Sequence, residues 1–228
     1  MTELPGAVDA SRGPTTAVVP LRDGSTGKTR LSGPFSPDQR TRIVAALARH
    51  VVGTVLAAGP VSRVLVVTAD PDFARRALST DPRLEVVAEP AGRSDLNAAV
   101  TLGRARAVAD GARRVLVVHA DLPLLTPDDV GALLAPTAPL VLAPDLAGLG
   151  TNALVLDAAV AGFAFRFGTA SAGAHRDQAE TLGLEAAIVR RPGTWTDLDT
   201  PEDWLALPEA VRERLDPSGA LRAAQPDR

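Results

Sequence analysis

Short apolar runs along the chain alternate with longer stretches in which apolar residues have helical spacing. Thr16–Leu21 predicts a first strand, while Arg63–Ala69 and Arg113–His119 are continuous apolar runs typical of strands that are covered on both faces. Apolar residues from Ile43 to Val55 recur at three- and four-residue steps, which predicts a helix with one buried stripe. The pattern therefore favours an α/β fold.

Capping residues indicate where helices begin. Ser36-Pro37-Asp38-Gln39 combines an N-cap serine, a proline at the first helical position and a capping-box glutamine, and Thr126-Pro127 caps a later helix. The other predicted elements are a short helix from Pro71, a strand at Leu84–Ala88, a helix from about Asp95 to Asp110, and strands at Leu140–Ala143 and Ala153–Leu156. This alternation predicts a three-layer α/β/α domain with a mixed, mostly parallel sheet, in which ligands bind at the carboxyl ends of strands.

The two ends of the chain differ in composition from its middle. Residues 1–14 and 216–228 are rich in glycine, proline and charged residues without a period, so we expect disordered tails around a single domain at 15–215. No basic leader with an apolar run and no stretch of about 20 apolar residues is present. We therefore expect a cytoplasmic protein with neither a signal peptide nor a membrane span.

The composition excludes several kinds of chemistry. The 228-residue chain has no cysteine, which excludes disulfides, thiolate metal sites and a cysteine nucleophile. Its three histidines (His50, His119 and His175) are far apart in sequence, which argues against a histidine-built metal site. The net charge is −3 and only 3% of residues are aromatic, so the chain lacks the basic face and stacking rings of a nucleic-acid-binding protein.

A glycine-rich loop with one lysine follows the first strand. Residues 24–31 read G-S-T-G-K-T-R-L, but the first glycine of a Walker A motif would fall at Arg22, and Gly33-Pro34 comes too soon for the required helix. Such a loop can still bind phosphates through backbone N–H groups and charge. Lys28 is the only lysine among 24 cationic residues. Either an arginine-rich composition left it on the surface by chance, or the site needs a compact ammonium.

Aspartates follow the later strands at positions suited to a metal ion. Asp121 comes just after a buried strand, and since Thr126 can cap the next helix, Asp121 is available for binding; a turn or cap role is the alternative. Asp197 and Asp199 alternate along a predicted strand, and a pair at that spacing can hold a hard divalent cation. Because Asp199 or Thr200 could cap the next helix, Asp197 is favoured as the primary ligand.

Small polar residues form a candidate anion site. Gly150-Thr151 is a small polar turn, and Gly168 and Ser171 precede the helix that carries His175. Ser171 is predicted to cap that helix, whose N-terminal amides would suit an anion. The alternating phenylalanines at positions 163, 165 and 167 are predicted to face the core.

Six short motifs occur in a fixed order along the chain: V-P-L-R…G-K-T-R-L after the first strand, L-N-A-A at 96–99, H-A-D-L-P at 119–123, G-T-N-A-L at 150–154, F-G-x-x-S…H at 167–175 and D-L-D-T-P-E-D at 197–203. In this order, they resemble the motifs of the guanylyltransferases of deazaflavin coenzyme (coenzyme F-420) biosynthesis, which use 2-phospho-L-lactate or, in actinobacterial relatives, phosphoenolpyruvate. The resemblance covers about Thr16 to Leu207 and implies a nucleotide-diphospho-sugar transferase-like fold. The family often has lysine where Arg22 stands, and glycine or glutamine around His119-Ala120.

The resemblance also implies roles for the candidate residues. Mg²⁺ would be bound by Asp121 and Asp197, with Asp199 close by. The GTP phosphates would be contacted by Lys28 and Arg30, with Arg22 and Asn97 as further nucleotide contacts, and the acceptor phosphate by Thr151, Gly168 and Ser171. Catalysis would rest on Lys28, Arg30 and Asp121. The implied partners are GTP, a phosphorylated three-carbon acid and a downstream transferase that takes the product, with no nucleic acid or membrane.

The sequence leaves the acceptor and two other functions open. Phosphoenolpyruvate, 2-phospho-L-lactate and 3-phosphoglycerate differ by a double bond, a methyl group or a hydroxyl group, which one or two side chains can distinguish. The arginine-rich composition indicates a high-GC actinobacterium and so favours phosphoenolpyruvate. An Asp-x-Asp pair such as 197/199 also suits a metal-dependent glycosyltransferase, and a non-catalytic nucleotide-binding protein is the third possibility. Pyrophosphate release from GTP and a phosphorylated three-carbon acid would separate the guanylyltransferase from both alternatives.

Overall fold

One seven-stranded sheet organises the residues that the computed structural model describes, which are 13–22, 28–90, 92, 95–216 and 219. The strands are β1 (Thr15–Pro20), β2 (Val61–Thr68), β3 (Leu84–Ala88), β4 (Arg114–Val118), β5 (Leu140–Pro144), β6 (Thr151–Asp157) and β7 (Ala186–Ile188). The helices are α1 (Pro37–Ala57), α2 (Pro71–Ala77), α3 (Leu96–Ala109), α4 (Pro127–Leu134), α5 (Ser171–Thr181), α6 (Pro192–Trp195), α7 (Pro201–Ala206) and α8 (Glu209–Leu215), and a single 3-10 turn covers Thr29–Leu31.

The strand order is β3-β2-β1-β4-β6-β5-β7, and β6 alone among these strands runs antiparallel to its neighbours. The carboxyl ends of β1, β3, β4 and β5 therefore meet the beginning of β6 at one edge of the sheet. This arrangement confirms the predicted mixed, mostly parallel sheet. It also places the residues after the predicted strands on the edge where ligands bind in such folds.

Apolar side chains cover both faces of the sheet. On β1, Ala17 and Val19 pack in the cluster formed with α1, α2 and α4, whereas Val18 packs on the opposite face with α3 and α5. The phenylalanines at 163, 165 and 167 belong to this second cluster, so their predicted core role is confirmed. A third cluster joins α1 to α7 and α8 around Trp204 and Leu198. The three-layer prediction is confirmed.

The capping signals at Ser36 and Thr126 located the starts of two helices accurately. Ser36 caps α1 and Thr126 caps α4, each in a capping box, because the side chain at N3 returns the hydrogen bond to the cap backbone. The strand predicted at Leu84–Ala88 matches β3, and the strands predicted for β1, β2, β4, β5 and β6 differ from the observed ones by at most two residues at either end. The pattern did not predict β7, because this three-residue edge strand is partly exposed and has no long apolar run.

Most of the two predicted tails lies outside the described residues, as do residues 23–27 of the glycine-rich loop. Lys28 is followed by the 3-10 turn and not by an α-helix, in agreement with the rejection of a Walker A motif. In the described part of the chain, no helix combines the length and apolar content that crossing a membrane requires.

Candidate active site

A cavity of about 460 Å³ opens at the sheet edge where the strand ends meet. Eight of the ten predicted site residues line it: Arg22, Lys28, Asp121, Thr151, Gly168, Ser171, Asp197 and Asp199. Arg30 and Asn97 are not among its lining residues. The topology therefore brings together candidate residues that are up to 177 positions apart in the sequence.

The ammonium of Lys28 lies between two of the predicted metal ligands. Its Nζ atom is 3.1 Å from Oδ2 of Asp121 and 2.9 Å from Oδ1 of Asp199, and it also donates to the backbone oxygen of Leu198. Burial opposes the charge, but the two carboxylates outweigh it and raise the pKa of Lys28, so the side chain stays charged at neutral pH. The backbone at Lys28 is left-handed, with φ of 51°. The structure thus holds the single lysine of the chain inside the site.

A backbone hydrogen bond joins the segments that carry the aspartates. The N–H of Leu198 donates to the backbone oxygen of Asp121 over 3.0 Å. Leu198 is fully buried, while Asp197 and Asp199 on either side of it line the cavity. The prediction of a strand at 197–199 is wrong. This segment lies between α6 and α7, and the hydrogen bond from Leu198 joins it to the loop after β4 without forming a ladder of strand hydrogen bonds. Thr200, and not Asp199, is the N-cap of α7.

The aspartates differ in how readily they ionise. Burial raises the pKa of Asp197 to about 6, and the nearby charges of Asp121 and Asp199 contribute in the same direction. Burial also opposes ionisation of Asp121, but Lys28 outweighs it and lowers the pKa of that carboxyl. Oδ1 of Asp121 is buried and has no hydrogen-bond partner among the described residues. The site is therefore rich in negative charge and has a carboxylate oxygen available for a cation.

The described residues contain no group of three or more His, Cys, Asp or Glu side chains arranged to hold a metal ion on their own. Mg²⁺ commonly uses only one or two carboxylates and completes its shell with water and phosphate oxygens. Asp121 and Asp197 match that donor set. Magnesium binding at this site stays a prediction.

Thr151, Gly168 and Ser171 meet on the β6 side of the cavity. Thr151 begins β6, and both Thr151 and Ser171 are at most 2% exposed. The prediction that Ser171 caps α5 is wrong: the N-cap is Ala170, in a left-handed conformation with φ of 58°, and no side chain caps it. Ser171 is instead the first helical residue, and its N–H donates to the backbone oxygen of Gly168 over 3.2 Å.

Asn97, on α3, supports the side of the cavity where Gly168 lies. Its Nδ2 donates to the backbone oxygen of Phe167 over 3.1 Å, and its Oδ1 accepts from the Phe167 N–H over 2.7 Å. Both ends of the amide thus hold the segment that leads into Gly168. A direct nucleotide contact from Asn97 stays a prediction. The side chain of Arg30 is exposed at the rim of the site, and its Nη1 atom is 4.0 Å from Oδ2 of Asp199.

Three further acidic residues line the cavity and were not singled out from the sequence. Glu89 follows β3 directly, and burial together with the charge of Asp95 raises its pKa. The rule that selected Asp121, an acidic residue just after a predicted strand, would also have selected Glu89. Asp145 accepts the N–H groups of Leu149 and Gly150 over 2.9 and 2.8 Å, which fixes the turn before Thr151.

Comparison with known proteins gives this site a context. Residues 15–208 match the model of the family described as guanylyl transferase CofC like. The chain belongs to this family. A member named phosphoenolpyruvate guanylyltransferase from Sphaerobacter thermophilus is 38% identical over 191 residues, which cover 83% of this chain and 90% of that protein. Another with the same name, from Rubrobacter xylanophilus, is 40% identical over 197 residues (84% and 92%).

Relatives of this CofC-like family member differ in the acceptor that their names give. A 2-phospho-L-lactate guanylyltransferase from Haloarcula marismortui is 37% identical and covers 79% of each chain. Among solved structures, a Desulfovibrio desulfuricans G20 protein assigned to the nucleotide-diphospho-sugar transferases has a TM-score of 0.68 at 15% identity (91% of this chain, 96% of that one). A nucleotidyl transferase from Methanothermobacter has a TM-score of 0.58 at 17% identity (89% and 98%). These structures confirm the predicted fold.

Proposed function

We propose that this CofC-like protein transfers GMP from GTP to the phosphate of a small phosphorylated acid and releases pyrophosphate. The observation that carries the proposal is the single cavity that unites the Lys28 ammonium, the aspartates and the small polar residues around Thr151. Phosphoenolpyruvate is the acceptor that we expect first, because the relatives at 38–40% identity described above are named for it. The product would then be enolpyruvyl-diphospho-guanosine.

The strand order suggests how the two substrates share the cavity. Neighbouring strands lie about 4.8 Å apart, so the four steps from β3 to β6 span about 19 Å, enough for a nucleotide and a three-carbon acid end to end. Guanine presents N–H donors on its pairing edge, and Glu89 offers a carboxylate acceptor on the β3 side. The acceptor phosphate would lie at Thr151. The α-phosphorus of GTP would then lie between the guanine and this phosphate, near Lys28.

The reaction needs no proton removed from the acceptor. A phosphate monoester has a second pKa near 6, so at neutral pH it is mostly a dianion and already a nucleophile. One of its oxygens forms a bond to the α-phosphorus of GTP, while the bond from that phosphorus to the bridging oxygen breaks and pyrophosphate leaves with the electron pair. The barrier is electrostatic, because one anion approaches another. Positioning and positive charge, from Lys28 and the arginines at the rim, would supply the catalysis.

We propose that Asp121 and Asp197, with Asp199 beside them, hold Mg²⁺. The unpartnered Oδ1 of Asp121 and the mutual repulsion of the carboxylates both suit a hard cation with few protein ligands. Bound there, Mg²⁺ would neutralise charge on the reacting phosphates and help to orient them.

The product keeps an activated diphosphate linkage, so a downstream transferase that attacks it would consume it. The family resemblance suggests that this step belongs to coenzyme F-420 biosynthesis. A partner enzyme would also matter for the assay, because a tightly held product could limit turnover.

A pyrophosphate-release screen of four nucleotides against the three candidate acids, with and without the downstream transferase, tests the proposal. We expect release with GTP and one acid. Asp121→Asn should lower kcat by about 10²-fold or more, as removal of one transition-state contact does in other enzymes. The control Asp128→Asn, an exposed residue on α4, should behave as the parent.

Two outcomes of the screen would contradict the proposal. Tight GTP binding without pyrophosphate release from any acid would favour a non-catalytic nucleotide-binding protein. Turnover of a nucleotide-sugar without pyrophosphate release would favour a glycosyltransferase. Full activity of Asp121→Asn would contradict the proposed role of this aspartate.

A further inference from the structure

His175 lies behind the side of the cavity that Thr151 and Gly168 line. It contacts Thr151 and the segment that leads into Gly168. It is fully buried on α5, and its ring packs against Phe167, with ring centroids 4.9 Å apart. Its Nε2 atom is 3.0 Å from the backbone nitrogen of Arg166, and its Nδ1 atom is 3.1 Å from Oγ1 of Thr151. One imidazole therefore connects the start of β6 with the segment that leads into Gly168.

The hydrogen bonds determine which ring nitrogen carries the proton. The backbone N–H of Arg166 can only donate, so Nε2 of His175 must be the acceptor and has no hydrogen. Burial lowers the pKa of His175 to about 4, so the ring is neutral at pH 7 and has one N–H. That hydrogen is on Nδ1, which therefore donates to Thr151 Oγ1.

The orientation of the Thr151 hydroxyl follows from this arrangement. An oxygen that accepts from Nδ1–H cannot direct its own hydrogen back at that nitrogen. Among the described residues, Oγ1 of Thr151 has no other hydrogen-bond partner. Thr151 lines the cavity, so its hydroxyl hydrogen is available for an anionic ligand there.

We propose that His175 is a positioning residue, which holds the Thr151 hydroxyl as a hydrogen-bond donor to the phosphate of the acceptor acid. This inference rests on the proposed function, since it assumes that the acid binds at Thr151. His175 itself would touch neither substrate nor metal. Substitution of His175 should therefore weaken binding of the acceptor acid, and this loss should depend on the presence of the Thr151 hydroxyl.

Two substitutions separate the two ends of the ring. His175→Gln places an amide oxygen near the Nε2 position, which keeps an acceptor for Arg166 but removes the donor to Thr151. His175→Asn places an amide nitrogen near the Nδ1 position, which keeps that donor. In His175→Gln the Thr151 hydroxyl is no longer held towards the charged phosphate, and the hydrogen bond between them is lost. We therefore expect this variant to raise the acceptor KM about tenfold or more, with the GTP KM within about twofold. His175→Asn should lie closer to the parent protein.

A double-mutant cycle tests whether the effect passes through Thr151. Thr151→Val removes the hydroxyl and should raise the acceptor KM at least as much as His175→Gln does. In the Thr151→Val background, His175→Gln should add less than about twofold, because the hydroxyl that it orients is gone. Effects that multiply in the double variant, or equal rises in both KM values, would overturn the proposal. His50→Gln, a half-buried histidine of α1 outside the cavity lining, is the control and should change neither KM.

Two measurements keep the test independent of folding and of turnover. Nitrogen-15 NMR of the parent protein, which has three histidines, should show His175 protonated on Nδ1 at pH 7; a proton on Nε2 would refute the argument. Calorimetric titration with phosphoenolpyruvate in Mg²⁺ gives acceptor affinity without turnover. Binding without pyrophosphate release would contradict the proposed function alone, and the positioning role would then be tested on Kd. If none of the three acids binds, both proposals are wrong.

Discussion

Removal of the Asp197 charge should stabilise the metal-free protein. The pKa of Asp197 is raised from 3.8 to about 6 by burial and by the charges of Asp121 and Asp199. At about 1.36 kcal/mol for each pH unit, this difference corresponds to about 3 kcal/mol of destabilisation once the carboxyl is ionised. The side chain is partly exposed, and solvent screening reduces the effect to about 1–2 kcal/mol. Asp197→Asn should therefore raise the melting temperature by about 3–6 °C at pH 7.5 in a chelator.

The sign of the pH dependence follows from the same shift. At about pH 4, Asp197 is still protonated in the folded state and only about half ionised in the unfolded state, so the parent and Asp197→Asn should differ little in melting temperature. As the pH rises from about 4 to about 6, the unfolded state ionises more readily than the folded state, and the parent loses stability relative to the variant; above that range the difference should stay constant. Differential scanning calorimetry from pH 4 to 8 in EDTA measures this difference, with Asp177→Asn on the exposed surface of α5 as the control.

Addition of Mg²⁺ should reverse the comparison. A cation that binds the folded parent raises its melting temperature in proportion to the logarithm of its concentration, and Asp197→Asn should respond less because it lacks a ligand. Equal or lower stability of the variant at pH 7.5 in EDTA, or a difference that does not change with pH, would refute the electrostatic argument.

Three further substitutions test other parts of the structure. Lys28→Arg should lower kcat by about tenfold or more in pyrophosphate release, because a planar guanidinium cannot replace a compact ammonium between two carboxylates; an unchanged rate would remove the argument from the single lysine. Asn97→Ala should raise the acceptor KM more than the GTP KM, because it releases Phe167; the opposite ratio would support a direct nucleotide contact. Gly103→Ala should destabilise the protein by about 1–3 kcal/mol in urea unfolding, since its Cβ would overlap Val18 on β1; unchanged stability would mean that α3 shifts freely.

The sequence predicted the strands, the helix starts and the strand-end residues that depend on neighbouring positions in the chain. Buried strands appear as apolar runs, and the residue that follows each run lies at the ligand-binding edge by the geometry of parallel sheets. Asp121, which follows β4, was found in this way, whereas Thr151 was singled out from the small polar turn that precedes β6. Helix starts were found because a cap is a contact within four residues.

Contacts between distant segments account for what the sequence could not predict. The role of Asn97 depends on Phe167, 70 positions away. The start of α5 depends on a left-handed Ala170, a conformation that an alanine rarely adopts and that no local signal announced. Asp197 and Asp199 do face the cavity as their alternation suggested, but the bond from Leu198 to Asp121, and not a strand, holds them there.

The charge balance of the site links its stability to its chemistry. The ammonium of Lys28 lies between the carboxylates of Asp121 and Asp199, and Asp197 lines the same cavity, so these four groups carry an excess of two negative charges when all are ionised. A triphosphate and a phosphorylated acid would bring further negative charge into the same cavity, so neither can bind well until a cation compensates the carboxylates. Asp197 is the group whose ionisation its surroundings oppose, so it would gain most from a bound cation. The stability that Asp197→Asn gains without metal and the cation affinity that it loses should then have one origin, the cost of a charge on Asp197 that is buried and lies beside two other carboxylates.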